Sequence, residues 1–452
     1  MNQDMLEPTE PTEKTKNAVL LISLFENAED EKIIHKSLDE LERLVETSLG
    51  DDAEYSEIFR LTQCRRKPDC STYIGSGKAI EAGEFCVLQN IFLVVVNGEL
   101  SPSQIRNLEN EINSAEHSGT ESPNVRVIDR TMLILDIFAK HAVTNEGKLQ
   151  IEIAQLKYSS PRLTGKGIQL SRQGGGLAGG GIGGIGARGP GETKLETDRR
   201  HLKKQILALE GDLKLLESER AVKRSKRTRA GISVAAIAGY TNAGKSTLLN
   251  YLTDAGVLSE DKLFATLDPT VRNLKLPSGK EILLSDTVGF ISNLPHQLVE
   301  AFRSTLDEVK YADMILIVID AADEDAEEKT KITEEILTSL GATDKMLLYV
   351  FNKWDKVDIL PPQGIMRDKN AVCISSKTGA GTDALLSMME EMLNSALTKV
   401  KFLFPFDVQN PINVLYKNAN VLSVEYAENG TLVEALVDLK IKGQYKDYIV
   451  VE

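Results

Sequence analysis

No stretch of this 452-residue chain approaches the ~20 consecutive apolar residues that a membrane span needs, so a spanning helix is excluded. The opening segment, Met1 to Lys14, is acidic and polar, with Pro8 and Pro11. It lacks the basic-then-apolar order of an export signal and reads as a disordered tail. Cysteine is scarce: Cys64, Cys70, Cys86 and Cys373 form no Cys-x-x-Cys pair and no Cys/His ligand set. Neither a zinc site nor a disulfide framework is indicated, and free thiols in a reducing cytoplasm are expected. Positive charge is in deficit, and a net charge of −14 argues against a chain that coats nucleic acid over its whole surface.

That deficit is uneven. Lys157 to Ala230 carries 17 Lys/Arg against 7 Asp/Glu, a local +10, which leaves −24 for the remainder. Such asymmetry suggests one basic element aimed at a polyanion and an acidic body held away from it. A solvated, Lys/Arg-rich helix is the plainer explanation.

Apolar residues make up 42% of the chain, and its length suggests about three domains at ~150 residues each. Residues 17–24 and 91–96 are short apolar runs that predict buried strands. Helical patterns lie at 29–48, 77–89 and 102–115, the last with Ser101 as N-cap and Pro102 at its first position. The alternation implies a small α/β domain over 16–130, after a tail at 1–15. A long helical section is expected from Thr131 to Tyr158, with Leu135, Phe138, Ala142, Leu149, Ile153 and Leu156 at helical steps. A second runs from Glu192 to Arg229, where Leu202, Ile206, Leu209, Leu213 and Leu216 form a coiled-coil seam. The two sections are natural antiparallel partners, a helical hairpin over 131–230.

Between them, Gly165 to Gly191 holds 13 glycines in 27 residues, with Lys166, Arg172 and Arg188 as its only charges. That composition forbids a packed core, and the length exceeds what a connection between paired helices needs. We read a functional loop in preference to a linker. Residues 231–397 alternate strands and helices as a doubly wound, mostly parallel α/β domain. Residues 398–452 carry strand patterns at 399–405, 420–426 and 431–438, with a hairpin turn at Asn429-Gly430, and read as a small α+β domain.

Gly239-Tyr240-Thr241-Asn242-Ala243-Gly244-Lys245-Ser246 fits the phosphate-loop pattern G-x-x-x-x-G-K-S, with an apolar strand before it and a helix after it. The glycines let backbone N–H groups turn inward on phosphates, Lys245 places a charge at the β- and γ-phosphates, and the Ser246 hydroxyl suits Mg²⁺. Asn352-Lys353-Trp354-Asp355 follows another apolar strand. The Asp355 carboxylate can accept from the guanine N1–H and 2-amino group, two donors that adenine lacks there. Asn352 is expected to tie the base loop to the phosphate loop. Ser375-Ser376-Lys377 is placed to offer a backbone N–H to the guanine carbonyl. Each motif is weak alone, but their order and spacing together predict a GTP site. Asp286-Thr287-Val288-Gly289 is expected to reach Mg²⁺ through water and the γ-phosphate through the Gly289 N–H. Phe264-Ala265-Thr266-Leu267-Asp268-Pro269-Thr270 reads as a first switch, and spacing leaves Thr266 and Thr270 open as the second Mg²⁺ ligand. Phe290 stands where many small GTPases carry a water-orienting glutamine, so slow intrinsic hydrolysis is expected and the catalytic group is unassigned.

The chain resembles the HflX family of ribosome-associated GTPases. The resemblance rests on Thr72–Lys78, Asn97–Gln104, Val127–Thr131, Ile151–Leu156 and Gly189–Arg200 in addition to the nucleotide motifs, with Gly189–Arg200 the most specific. Val271 and Lys194 depart from the family's usual threonine and glutamine, and the last 50 residues match only loosely. The resemblance selects Thr266 as the Mg²⁺ ligand beside Ser246. It implies a monomer that binds the large ribosomal subunit and ribosomal RNA with GTP, and dissociates stalled or idle ribosomes. It also implies that the glycine loop enters the peptidyl-transferase region. The family's association with ATP draws attention to Gly75-Ser-Gly77-Lys78, which a strand-to-helix turn explains as well. The competing readings are a GTP-gated RNA-binding module, and an assembly or transfer-RNA GTPase without subunit-splitting activity.

Overall fold

The computed structural model describes residues 17–27, 31–50, 56–114, 124–160, 190–229, 232–253, 263–264, 270–292, 308–357, 370–395, 398–406, 411–427, 429–437 and 439–450. The chain divides into two compact units, Met1–Lys140 with Ile151–Leu209, and His141–Gln150 with Glu210–Glu452.

The first unit is built on a four-stranded parallel sheet, β1 Asn17–Phe25, β2 Ser56–Cys64, β3 Ile91–Val96 and β4 Arg126–Asp129, in the order β2-β1-β3-β4. Val19 to Ile22 and Val94 to Val96 are fully buried, as central strands of a parallel sheet must be. Ala79, Ala82 and Cys86 of α2 (Ser76–Leu88) and Leu108 and Ile112 of α3 (Pro102–Asn113) close one face over Leu20, Ile22, Val94 and Val96. Helix α1 (Glu31–Leu49) also packs on β1. The Ser101 cap is present: its side chain accepts from Gln104 N, while the Gln104 side chain accepts from Ser101 N.

The expected continuous helix from Thr131 to Tyr158 is instead two, α4 (Arg130–His141) and α5 (Asn145–Ser159). The break falls at residues 142–144, where the Thr144 hydroxyl accepts from Gly147 N at 3.0 Å and starts the new helix. Helix α6 runs from Pro190 to Arg229. Its seam residues Leu202, Ile206, Leu209, Leu213 and Leu216 are all half-buried, and the same stripe continues through Arg220, Arg224 and Arg227. Gln205 donates to Glu152 at 3.3 Å and Arg220 pairs with Glu146 at 2.9 Å, the falling partner number of antiparallel helices. Most of the glycine-rich segment, residues 161–189, lies outside the described residues.

In the second unit a six-stranded sheet has the order β10-β9-β8-β5-β7-β6. Its strands are β5 Val234–Gly239, β6 Val271–Lys275, β7 Glu281–Asp286, β8 Met314–Asp320, β9 Met346–Asn352 and β10 Ala371–Cys373. All neighbours are parallel except β6 with β7. Helices α7 (Lys245–Thr253), α8 (Ala326–Ser339) and α9 (Thr382–Ser395) accompany it. Leu248 and Leu249 of α7 and Leu385 and Met389 of α9 share a core with Ile237, Leu284, Leu316 and Leu348. Every expected nucleotide segment but the first switch sits at the carboxyl end of a parallel strand, where open α/β sheets present their loops to ligands.

A three-stranded antiparallel sheet, β11 (Thr398–Phe404), β13 (Gly430–Val437) and β12 (Asn420–Ala427), packs Phe402, Phe404 and Val433 against Leu415 of α10 (Pro411–Asn418) and Ile441 of α11 (Leu439–Gln444). The hairpin turn reaches Gly430, where a Cβ would lie 2.3 Å from the Phe404 carbonyl oxygen. Among the described residues no helix is long and apolar enough to cross a membrane.

Candidate nucleotide site

The phosphate loop leaves β5 at Gly239 and enters α7 at Lys245. Gly239 and Gly244 have φ of +149° and +91°, and a Cβ on Gly239 would lie 2.3 Å from the Val318 carbonyl oxygen. No other residue type fits there, because the loop passes directly over the end of β8. Lys245 is buried, and its Nζ donates to the Tyr240 carbonyl at 2.7 Å. Burial pushes its ammonium down to about 8; Asp286 opposes the shift and Lys353 adds to it.

The Ser246 hydroxyl donates to Asp286 Oδ2 at 3.0 Å. Asp286, fully buried at the end of β7, accepts from Thr287 N through Oδ1 at 3.0 Å, and its own N–H donates to the Thr270 carbonyl at 3.0 Å. The Thr287 hydroxyl donates to the Ile237 carbonyl at 2.7 Å, tying the segment to β5. A hydroxyl and a carboxylate side by side are hard oxygen donors of the kind Mg²⁺ takes, with phosphate and water supplying the remaining positions. The fit needs no larger acidic cluster, and among the described residues no group of three or more His, Cys, Asp or Glu could hold a metal. Phe264 and Thr270 lie at the two ends of the first switch; Phe264 is buried with φ +57°. Ala265, Thr266, Leu267 and Asp268 lie outside the described residues.

Gly289 sits against the phosphate loop: a Cβ there would lie 2.8 Å from Thr241 Cγ2 and 2.9 Å from Lys245 Nζ. Val288 is buried beside it. Phe290 is 1% exposed, its side chain committed to the protein interior. Its backbone bridges the loop, with Phe290 N donating to Gly239 O at 3.1 Å and Thr241 N donating to Phe290 O at 2.7 Å.

Asn352, at the end of β9, is fully buried and joins three segments. Its amide donates to the Ala243 carbonyl at 2.9 Å and its oxygen accepts from Ser376 N at 2.9 Å. Lys353 follows in the left-handed conformation, φ +61°, and opens the short 3₁₀ turn Trp354–Lys356. Trp354 N donates to the Ile374 carbonyl at 3.1 Å, so the tryptophan contributes backbone to the loop. The Ser375 hydroxyl donates to Asp355 Oδ1 at 2.5 Å and holds that carboxyl below the usual carboxylate range, with Lys377 and Lys356 acting in the same direction. Asp355 is exposed at the loop edge, ionised and oriented through one oxygen.

Sequence reasoning missed Asp320. It ends β8 and pairs with Lys353 at 2.7 Å, fixing the base loop from the neighbouring strand. The signal that could have found it is a carboxylate closing an apolar strand run. Gly75-Ser-Gly77-Lys78 opens α2 in the first unit. There Arg65 donates to the Ile74 carbonyl at 3.2 Å, a Cβ on Gly75 would lie 2.7 Å from Arg65 Nη1, and Lys78 pairs with Glu81 at 2.6 Å.

Three family profiles match the chain: a GTP-binding GTPase N-terminal region over 35–139, a GTP-binding GTPase middle region over 141–227, and a 50S ribosome-binding GTPase over 234–353. The GTPase HflX of Caldanaerobacter subterraneus subsp. tengcongensis is 46% identical over 97% of this chain and 95% of its own length. The GTPase HflX of Escherichia coli (strain K12) is 41% identical over 80% of each chain. A crystal structure of a GTP-binding protein from the archaeon Sulfolobus solfataricus in complex with GDP aligns over 84% of this chain and 99% of its own, at 23% identity and a TM-score of 0.43.

Proposed function

From the premise that the chain belongs to the HflX family of GTPases, we propose that it uses GTP bound between Gly239 and Lys377 to engage the large ribosomal subunit and dissociate stalled or idle ribosomes. The observation that carries the nucleotide assignment is Asn352. One buried side chain joins Ala243 of the phosphate loop to Ser376 of the third base segment. Both ends of its amide are hydrogen-bonded, so the phosphate loop and the base segment are held at one separation.

In this reading the N–H groups of 241–246 and the Lys245 ammonium hold the β- and γ-phosphates, and Asp355 selects guanine. Ser246, with Asp286 beside it, would hold Mg²⁺ together with Thr266. When bound, that ion supplies neutralisation of charge on the β- and γ-phosphates. The Gly289 N–H meets the γ-phosphate. Phe290, buried, orients no water, so hydrolysis is slow until another group completes the site. The ribosome is the proposed source of that stimulation.

The basic stretch of α6 supplies the ribosomal partner's electrostatic contact. Its Lys and Arg suit ribosomal RNA, and an acidic remainder limits non-specific adhesion. The organisation proposed is a tail, an N-terminal α/β domain over 16–130, a helical hairpin over 131–230, the GTPase domain over 231–397 and a C-terminal α+β domain from 398, working in the cytoplasm as a monomer.

Co-sedimentation with purified ribosomal subunits under GTP, GDP and a non-hydrolysable analogue tests the binding claim, and light scattering of intact ribosomes tests dissociation. Binding in the GTP forms with a fall in scattering is expected. Binding without any fall would leave a GTP-gated RNA-binding module.

A further inference from the structure

The nucleotide reading accounts for the backbone of Tyr240 and leaves its side chain without a task. Tyr240 is the second residue of the phosphate loop, and its phenol oxygen accepts a hydrogen bond from Ser292 N at 2.6 Å. Ser292 lies three residues beyond Gly289, on the segment whose N–H is assigned to the γ-phosphate. Two further bonds join the same strands of chain, Phe290 N to Gly239 O at 3.1 Å and Thr241 N to Phe290 O at 2.7 Å. Residues 290 to 292 are thus fastened to the phosphate loop at three points, two of backbone and one of side chain. Phe290 and Ile291 are fully buried between them.

The phenol is itself held. Lys329 of α8 places its Nζ 5.3 Å from the centre of the Tyr240 ring, and Asp323 holds that amine at 2.5 Å. A cation over the face of a ring restrains its tilt, so the oxygen at the ring's far end is aimed at Ser292. On the opposite side, the Tyr240 carbonyl accepts from Lys245 Nζ at 2.7 Å. One residue therefore touches the phosphate-binding lysine through its backbone and the γ-phosphate-sensing segment through its side chain.

We propose that Tyr240 is a positioning residue for GTP hydrolysis, its phenol clamping residues 289–292 against the phosphate loop so that the Gly289 N–H and the Lys245 ammonium keep a fixed separation. The proposal rests on the nucleotide site described above. Phe290 gives the clamp its importance. A glutamine at that position would carry part of the alignment in its own side chain, whereas here alignment falls to backbone groups, and backbone groups need an external anchor. The phenol adds a fixed point two residues beyond Phe290, at Ser292 N.

Tyr240→Phe removes one oxygen and keeps the ring under Lys329. The measurements are GDP affinity by fluorescent-nucleotide titration, single-turnover hydrolysis at saturating GTP, and the same rate with ribosomes added. Lys245→Ala serves as the control for the site itself. The expected result is GDP affinity within about threefold of wild type and single-turnover hydrolysis slower by about tenfold or more, with and without ribosomes. Lys329→Met, which frees the ring but keeps the oxygen, is expected to fall between the two. Wild-type hydrolysis by Tyr240→Phe would overturn the clamp while leaving the nucleotide site standing. Equal weakening of GDP and GTP binding without a change in the saturated rate would also overturn it, making Tyr240 a support of the loop. Lys245→Ala binding nucleotide as wild type would overturn the site assignment instead.

Discussion

Asn352 and Gly244 meet so closely that a Cβ on the glycine would lie 2.2 Å from the asparagine Nδ2. Gly244 also has φ +91°, so the position is closed to side chains twice over, by backbone conformation and by a neighbour that cannot retreat. The neighbour is fixed because both ends of its amide are used, on Ala243 O and Ser376 N.

Gly244→Ala is therefore expected to weaken GDP and GTP together, by about 10- to 100-fold, since it displaces a buried, doubly bonded amide worth ~1–3 kcal/mol. Asn352→Ala should do the same without straining the backbone, and should lower the thermal midpoint by ~2–4 °C for each kcal/mol of stability removed. Fluorescent-nucleotide titration and thermal melts of both variants check this. Weakened binding in Gly244→Ala alone would place the whole effect in the glycine's backbone.

Guanine selectivity is expected to follow Asp355. Asp355→Asn replaces an acceptor by a donor opposite the guanine 2-amino group, and preference should shift toward xanthine nucleotides. Discrimination of about 10⁴ is within reach of a site built to pair both donors. The Ser375 hydroxyl orients the carboxylate, so Ser375→Ala should weaken GTP binding less than Asp355→Asn and leave the base preference unchanged. Competition assays with GTP, ATP and XTP distinguish the two.

The nucleotide loops were legible because each is a run of consecutive residues whose chemistry is local: a glycine turn, an Asn–Lys–x–Asp step, a helix start. Their partners were not. Tyr240 with Ser292 and Asp320 with Lys353 are 52 and 33 residues apart, and nothing local to either member signals the other. The long strands announced themselves through burial on both faces, as in Val19 to Ile22. The edge strand β2 did not, because its Arg60 and Gln63 interrupt any apolar run, and Arg60 turns outward to Glu42 and Asp39. At four residues β4 is too short to show a period. The break between α4 and α5 was invisible because apolar positions fall in helical phase on both sides of it. The Thr144 cap alone marks it.

Nucleotide binding should be linked to protonation of Lys245. Its amine is held near 8 by burial, well below the usual lysine value of 10.5. Phosphates within hydrogen-bond reach would favour the ammonium and raise that value, so binding takes up a proton above about pH 8. GDP affinity is expected to be flat below about pH 7.5 and to fall as pH rises from about 8 toward 10. Stability of the nucleotide-free protein should move the other way over that window. The unfolded chain binds the extra proton between about pH 8 and 10.5, so unfolding free energy rises with pH there from this group. Titrations across buffers of different ionisation enthalpy measure the proton uptake. Lys245→Arg, charged throughout, should abolish the pH dependence.

The charges of α6 do not form one set. Arg220 is paired with Glu146 at 2.9 Å, and Arg224 lies with its guanidinium carbon 4.2 Å from the centre of the Tyr311 ring, its Nη1 buried without a hydrogen-bond partner. Both continue the half-buried seam begun by Leu202, and both contacts lie within the second unit. Lys203, Lys204, Lys214 and Lys226 are exposed, and helical phase at about 100° per residue puts them off that seam by roughly 90° or more. Glu210, Asp212 and Glu217 fall nearer the seam, while Glu219 stands about 20° from Lys226 in helical projection. An RNA backbone approaching that face meets four lysines and one carboxylate, Glu219. Reversing the four lysines to glutamate is therefore expected to weaken ribosome association strongly and to leave the melting temperature and free GTP turnover unchanged. The slope of log affinity against log salt should fall by ~0.7–0.9 for each RNA phosphate that is no longer neutralised. Arg224→Glu should instead lower thermal stability, because it sets a carboxylate into a half-buried position against an aromatic face. Salt-series co-sedimentation paired with thermal melts separates the two classes. An equal fall in ribosome affinity from Arg224→Gln at unchanged stability would put the RNA contact on the seam side of the helix.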